Sequence, residues 1–404
     1  MQIDSFFAAR NSRMKASEIR ELLKLLDQPD VISFAGGIPD PALFPAEKFR
    51  DAMADALSDQ NQGLSLQYST SEGYPPLREW LAQRMTQLGV PCGADNILIT
   101  SGSQQALDYL GKLFLSPNDT ALVGWPTYLG ALGAFNAYEP RFDRLDPMGN
   151  RAAADVQADA AAAGGKVKFS YLSPDFANPT GITLSLQERQ QVLAQAEALD
   201  CMVIEDAAYQ SLRYEGEEIP PILSLELTEK GDLDQCRTIY CGSFSKTLSP
   251  GLRIGWVCAA RPVIDQLVLL KQAGDLHTAT LNQMAVAHVA ADGFEDHTRL
   301  LCAHYKARRD RMLAALDQHM PKGVEWTRPE GGMFVWMTLP KGMDGADLLA
   351  AALRDEKVAF VPGGAFYPDD DGRNTLRLNF SSPNQAQIDE GIKRLGRVLR
   401  AAMS

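Results

Sequence analysis

The chain has no C-x-x-C pair, no paired His/Cys cluster and no uninterrupted apolar run of membrane-spanning length. Its six cysteines are scattered at 92, 201, 236, 241, 258 and 302, which disfavours a zinc site or a disulfide framework. Cys201 in "CMVIED" and Cys258 in "GWVCAA" read as reduced core thiols. Positive charge is also short. Thirty-nine Lys and Arg stand against 51 Asp and Glu, for a net charge of −12. That argues against a general nucleic-acid or anionic-membrane surface. Any phosphate pocket must be built from individual residues. No G-x-x-x-x-G-K-[ST] is present, which removes a P-loop NTPase. The opening "MQIDSFFAARNSRMKAS" has no signal-like apolar stretch, so the cytoplasm is the expected compartment.

What is present is enough for a large core. The chain has 404 residues, 45% of them hydrophobic, which suggests two or three domains. "SEIRELLKLL" (residues 17–26) and "PAEKFRDAMADAL" read as helices, with the extended, turn-containing "VISFAGGIPDPALFP" between them. Short β-rich runs then alternate with helical runs, and polar or glycine-rich loops follow the strands. This pattern predicts an α/β fold with a mostly parallel sheet flanked by helices, its ligands outside the carboxyl ends of the strands. The alanine-rich "RAAADVQADAAAAGG" predicts an exposed helix and loop. From about residue 290 the pattern becomes that of a smaller α+β domain. The expected division is an N-terminal arm and helix over 1–45, a large domain over 46–290 and a small domain over 291–404.

Four loops that follow strand-like runs carry distinct chemical groups. "ITSGSQQAL" places Ser103 and Gln104 at a helix start, either as a simple cap or as an anion site. In "FANPTG", Asn178 is either a turn former or a ligand group. In "VIEDAAY", Asp206 ends an apolar strand, with Tyr209 three positions on. A buried carboxylate is costly unless paired, so Asp206 either caps the next helix or faces a cationic ligand atom. "GSFSKTLSPGLR" sets Lys246 among Ser243, Ser245 and Ser249, with Arg253 beyond a Pro-Gly turn. Desolvation and nearby positive charge would lower the lysine pKa and leave it free to act as nucleophile or base. Tyr128 in "GWPTY" would either stack on a ring or fill core. Together these groups suit one ligand with a phosphate, a cationic ring nitrogen, an oxygen acceptor and an aldehyde. Pyridoxal 5′-phosphate (PLP) has all four.

With these residues in place the sequence resembles the fold type I PLP-dependent aminotransferases of class I/II, in the 2-aminoadipate/kynurenine aminotransferase II-like subgroup. The resemblance runs from "SEIRELLKLL" to "GRVLRAAM" through "SFAGGIPDPALFP", "LQYSTSEGYPPLR", "TSGSQQALD", "NPTG", "EDAAY", "GSFSKTLSPGLRIGW", "HTATLNQ", "GGMFVWM" and "TLRLNFS", in that order. It implies that Lys246 holds the cofactor covalently, that Asp206 partners the pyridine nitrogen, and that Asn178 and Tyr209 meet the ring oxygen. It implies a phosphate cup of Ser103, Gln104, Ser243, Ser245 and Arg253. Tyr68 resembles a tyrosine that reaches the neighbouring subunit's phosphate, which implies a homodimer with shared sites. Arg377 resembles the arginine that forks the substrate α-carboxylate; read without the resemblance it is a strand-edge ion pair. Gly37 lies in the loop on the substrate side. Arg20 matches a helix whose arginine meets a side-chain carboxylate, or it is a solvated helix charge.

The implied reaction moves the amino group of an L-amino acid (2-aminoadipate, glutamate, an aromatic or leucine) to a 2-oxo acid, 2-oxoglutarate by expectation. A PLP-dependent lyase on the same fold and a non-catalytic ligand-sensing module are the rivals. The chain starts almost directly with the resembled N-terminal helix, which leaves no expected room for an appended DNA-binding domain.

Overall fold

The computed structural model describes residues 3–14 and 30–404. The helix expected at 17–26, and Arg20 with it, lie outside these residues. Strands β1 (Ile32–Ser33), β2 (Ile97–Thr100), β3 (Thr120–Val123), β4 (Arg141–Arg144), β5 (Val167–Leu172), β6 (Met202–Asp206), β7 (Thr238–Ser243) and β8 (Gly255–Cys258) come first in the chain. The last seven form one sheet in the order β2-β8-β7-β6-β5-β3-β4. All neighbours are parallel except β8, which runs antiparallel to β2 and β7.

The near-continuous apolar runs of these strands fit a sheet buried on both faces. Alternation shows it directly. Ile97 and Ile99 enter one core, and Leu98 between them enters another with Phe169, Ile204 and Val257. The second core is roofed by helices α1 (Ser103–Phe114) and α2 (Arg261–Gly274), through Leu107, Leu110, Ile264 and Leu267. The alanine-rich stretch forms a helix over Ala153–Ala162, and Val156 and Ala160 turn inward from it.

β8 determines where the chemistry sits. Gly255 pairs with Thr100 on one side and Ser243 on the other. The start of β8 therefore lies at the carboxyl ends of β2 and β7, and Arg253, two residues earlier, is delivered to the edge where Ser103 and Lys246 emerge.

A second sheet, β9 (Glu325–Trp326), β10 (Phe334–Thr338), β12 (Val361–Pro362) and β13 (Thr375–Asn379), is wholly antiparallel, in the order β12-β13-β10-β9. Helices α3 (Phe294–His319) and α4 (Gln385–Ala402) cover it, and Asn384 caps the latter through Gln387. β1 pairs in parallel with β11 (Val358–Ala359). Phe34 is fully buried in the core of this second unit with Tyr305, Phe334, Leu376 and Ile392. Burying such side chains contributes about 1.5–3 kcal/mol each. It anchors the 35–40 loop against β13. Among the described residues, no helix is long and apolar enough to cross a membrane.

Candidate active site

The loops at the carboxyl edge of the large sheet converge with the 35–40 loop and β13. Lys246 is partly buried there, and its Nζ donates to the Gly37 carbonyl at 2.9 Å. Burial, then the charges of Arg377 and Arg253, push its pKa down to about 8 against the opposing pull of Asp206. A group so shifted is neutral through a range where an ordinary lysine is charged. In the cofactor-free protein, an amine-directed reagent should therefore label Lys246 with a midpoint near pH 8, while exposed lysines follow the usual midpoint of roughly 10.4. Peptide mapping across a pH series checks this. A Lys246 midpoint no different from the others would contradict it.

Asp206 is buried at the end of β6, and its Oδ2 accepts from the Tyr171 hydroxyl at 2.7 Å. Burial pushes its pKa up, opposed by the Tyr171 bond, the Ala208 N–H and Lys246. Tyr171 was not among the expected site residues. A tyrosine inside "VKFSYL" reads as core, and only the β5–β6 pairing, Tyr171 beside Ile204, brings its hydroxyl to the carboxylate. Tyr209 is buried, its ring edge-on to Phe334 at 5.6 Å, and burial raises its pKa above the usual phenol value.

Asn178 is buried, and its Oδ1 accepts from Arg377 Nη1 at 2.7 Å. The segment leading to it is pinned by Asp175, 3% exposed, which takes the fully buried Arg189 at 2.7 Å and Arg213 at 3.2 Å. Asp175→Ala would leave the buried Arg189 charge without its acid. It should destabilise the fold by about 3–5 kcal/mol, read as a lower denaturant midpoint; an unchanged midpoint would contradict this role.

Arg377 is 1% exposed. Its second Nη donates to the Ala35 carbonyl at 2.9 Å, and its guanidinium lies 4.2 Å from the Phe334 ring centre. Nε has no hydrogen-bond partner, and among the described residues no carboxylate pairs with Arg377. Among the described residues the strand-edge ion pair is therefore not formed. A buried, uncompensated guanidinium is costly unless an anion comes to it.

Ser103 opens α1, and Gln104 follows. Ser243 Oγ accepts from the Ser245 N–H at 3.0 Å. Arg253 donates to Ser245 Oγ and the Ser101 carbonyl, each at 3.4 Å, and has a left-handed φ of 56°. Such a backbone costs roughly 1–3 kcal/mol and is characteristic of functional sites. Two glycines make this closeness possible. A Cβ on Gly102 (φ +84°) would stand 2.1 Å from the Arg253 guanidinium, and one on Gly255 2.6 Å from the Ser103 nitrogen. Hydroxyls, the N–H groups of a helix start and a guanidinium with no ion pair among the described residues are the chemistry that suits a phosphate dianion.

Tyr128 is half-buried, and its hydroxyl donates to Gln104 Oε1 at 3.4 Å. Gly37 lies against Phe334 and Arg377. Tyr68 stands 78% exposed, edge-on to His277, and shares no hydrogen bond with the Lys246 group. A cavity of about 1550 Å³ flanks the cup, with Gln104, Tyr128, Arg253, Asp344, Tyr367 and Arg373 on its wall. Lys246 is not on that wall.

The donor set fits PLP: a cradle for the phosphate, a buried acid for a ring nitrogen, an amide and a phenol for a ring oxygen, and an amine of lowered pKa for an aldehyde. Comparison with known proteins agrees. The family model for aminotransferase class I and II matches residues 29–395. The chain is 42% identical to aromatic-amino-acid aminotransferase 1 of Thermococcus litoralis, over 100% of this chain and 96% of that protein. The solved kynurenine aminotransferase of Pyrococcus horikoshii, in complex with PMP, superposes with a TM-score of 0.91 at 42% identity, covering 100% and 99% of the two chains. An alpha-aminoadipate aminotransferase from Thermus thermophilus, complexed with N-(5′-phosphopyridoxyl)-L-leucine, gives a TM-score of 0.88 at 39% identity, with the same coverage. From the cradle at the sheet edge to matches that run the length of the chain, the protein belongs to the class I and II aminotransferases, enzymes that use pyridoxal phosphate to transfer amino groups.

Proposed function

We propose that this aminotransferase takes L-amino acids with acidic or large side chains, such as 2-aminoadipate, glutamate, aromatics or leucine, and passes the amino group to 2-oxoglutarate. The observation that carries the reading is the buried Arg377, without an acid partner among the described residues and close enough to Lys246 to depress its pKa. A guanidinium there binds an α-carboxylate in a planar fork and so orients the substrate Cα. Lys246 Nζ removes the α-proton and serves as the acid for its return. Asp206, oriented by Tyr171, would hold a proton on the ring nitrogen. Asn178 and Tyr209 would meet the ring oxygen, and Tyr128 would cover a ring face. Ser103, Gln104, Ser243, Ser245 and Arg253 would hold the phosphate. When bound, the cofactor supplies the electron sink for the carbanion left at Cα.

Room for a large side chain would lie on the Tyr128 side of the cup, where a cavity is walled by Gln104, Tyr128 and Arg253. The relatives' names, aromatic, kynurenine and alpha-aminoadipate, point the same way. We assign Tyr68 to the partner's phosphate in a homodimer, Gly37 to the substrate-side loop and Arg20 to an acidic side chain. We retain the division 1–45, 46–290 and 291–404. The cytoplasm is the proposed compartment, supported by six free thiols.

The test is a panel of these amino acids with 2-oxoglutarate and PLP. Glutamate should appear in step with the 2-oxo acid of the donor when the donor is not glutamate itself. Ammonia release without new glutamate would favour a lyase, and no turnover on any member a ligand-sensing module.

A further inference from the structure

The first turn of the phosphate cup is held from behind by a charged network that none of the roles above uses. Lys271, in the last turn of α2, has a side chain with 0% exposure. Its Nζ donates to both carboxylate oxygens of Asp275, at 2.9 and 3.0 Å, and to Gln105 Oε1 at 2.9 Å. Three acceptors for three N–H bonds leave the ammonium fully satisfied. Gln105 Oε1 also accepts from the Ser101 backbone N–H at 2.8 Å, and Gln105 Nε2 donates to Asp275 Oδ2 at 2.7 Å. The Ser101 hydroxyl donates to Asp275 at 3.1 Å, and the Tyr109 hydroxyl does so at 3.3 Å.

Local electrostatics do not favour an aspartate here. Asp275 is the C-cap of α2, where the helix dipole opposes negative charge. Four donor groups offset that cost, and two of them, Ser101 and Gln105, belong to the turn that enters α1. The carbonyl of Ser101 accepts from Arg253. Ser101 is therefore fixed through its N–H and hydroxyl by the network, and through its carbonyl by the cup. Apolar side chains of similar volume would fill this space without aiming Ser101; the ion pair sets a direction.

We propose that Lys271, Asp275 and Gln105 are positioning residues of the phosphate cup. They fix the Ser101–Gln105 turn so that the N–H groups at the start of α1 and the Arg253 guanidinium point at one place before the anion arrives. The proposal rests on the reading of that cup as the phosphate site.

The experiment compares the affinity of the cofactor-free, full-length protein for PLP and for pyridoxal, which lacks the phosphate, by absorbance titration. Wild type should strongly prefer PLP. Asp275→Asn should weaken PLP binding roughly 10- to 100-fold, the range for one charge-assisted hydrogen bond, and leave pyridoxal binding nearly unchanged. Equal weakening towards both ligands, or none, overturns the proposal. Gln105→Leu leaves the Lys271–Asp275 pair intact and removes the acceptor of the Ser101 N–H. It should also lower the preference for PLP, and it decides the matter if Asp275→Asn does not fold. Arg253→Ala separates the two levels. If it leaves the preference unchanged, the cup reading fails. If it abolishes the preference while Asp275→Asn and Gln105→Leu keep it, only the positioning role fails.

Discussion

Lys246→Ala should lose amino-group transfer by about 10⁴-fold or more in kcat, because one residue supplies both the cofactor attachment and the acid–base group. Its protonation supplies about a hundredfold of this. A pKa of about 8 leaves roughly half of the amine neutral at pH 8, where an ordinary lysine would be less than about 1% neutral. The fall in pKa depends on burial and on Arg377 and Arg253, so the site builds its own base. Lys246→Arg separates the two meanings a lysine beside a phosphate can have. Arginine keeps the positive charge but does not deprotonate. A counter-charge role predicts substantial activity in that variant, whereas a base predicts loss as severe as in Lys246→Ala. A small primary amine added to Lys246→Ala should restore part of the proton transfer, and single-turnover kinetics with and without the amine would measure it.

The second large effect is expected at Arg377. Two charge-assisted hydrogen bonds to a carboxylate are worth about 1.5–3 kcal/mol each, so Arg377→Met should lower kcat/KM by roughly 10²- to 10⁴-fold for every amino acid accepted. Arg377→Lys should recover little of this, because a single ammonium cannot reproduce the planar fork. The loss should be uniform across donors, since all share the α-carboxylate. The preference for PLP over pyridoxal should change little, because the phosphate cradle lies elsewhere. Arg377 also holds Asn178 and the Ala35 carbonyl, so the thermal midpoint must be measured alongside. A loss confined to acidic donors would move Arg377 from the α-carboxylate to the side-chain pocket.

Much of the candidate site was legible because its residues sit in local patterns. Asp206 ends an apolar strand, Ser103 and Gln104 open a helix, and Lys246 lies among hydroxyls. Each is a strand-to-loop signal readable within ten residues. The parallel order of the sheet was legible from strand–helix alternation, but the reversal of β8, which delivers Arg253, was not. Contacts made across long stretches of chain were invisible. Lys246 meets the Gly37 carbonyl across 209 positions, and Arg377 meets the Ala35 carbonyl across 342. No local pattern carries such distances. Tyr171 was hidden for another reason. Its apolar neighbours make it look like core, and it is core, with one hydroxyl turned to Asp206. Lys271 and Asp275, four apart, read as an ordinary helix pair until Gln105 and Ser101 are placed against them.

The most direct test of the central claim is the visible absorbance of the purified protein, supplied with PLP and then with one amino acid at a time in the absence of any oxo acid. A yellow band should form with the wild-type protein, fade on addition of an acidic or large amino acid, and return when 2-oxoglutarate is added. Lys246→Ala should not complete this cycle at the wild-type rate. A yellow band that no amino acid converts would contradict transamination, and no band at all with added PLP would contradict the assignment of the Lys246 site to that cofactor.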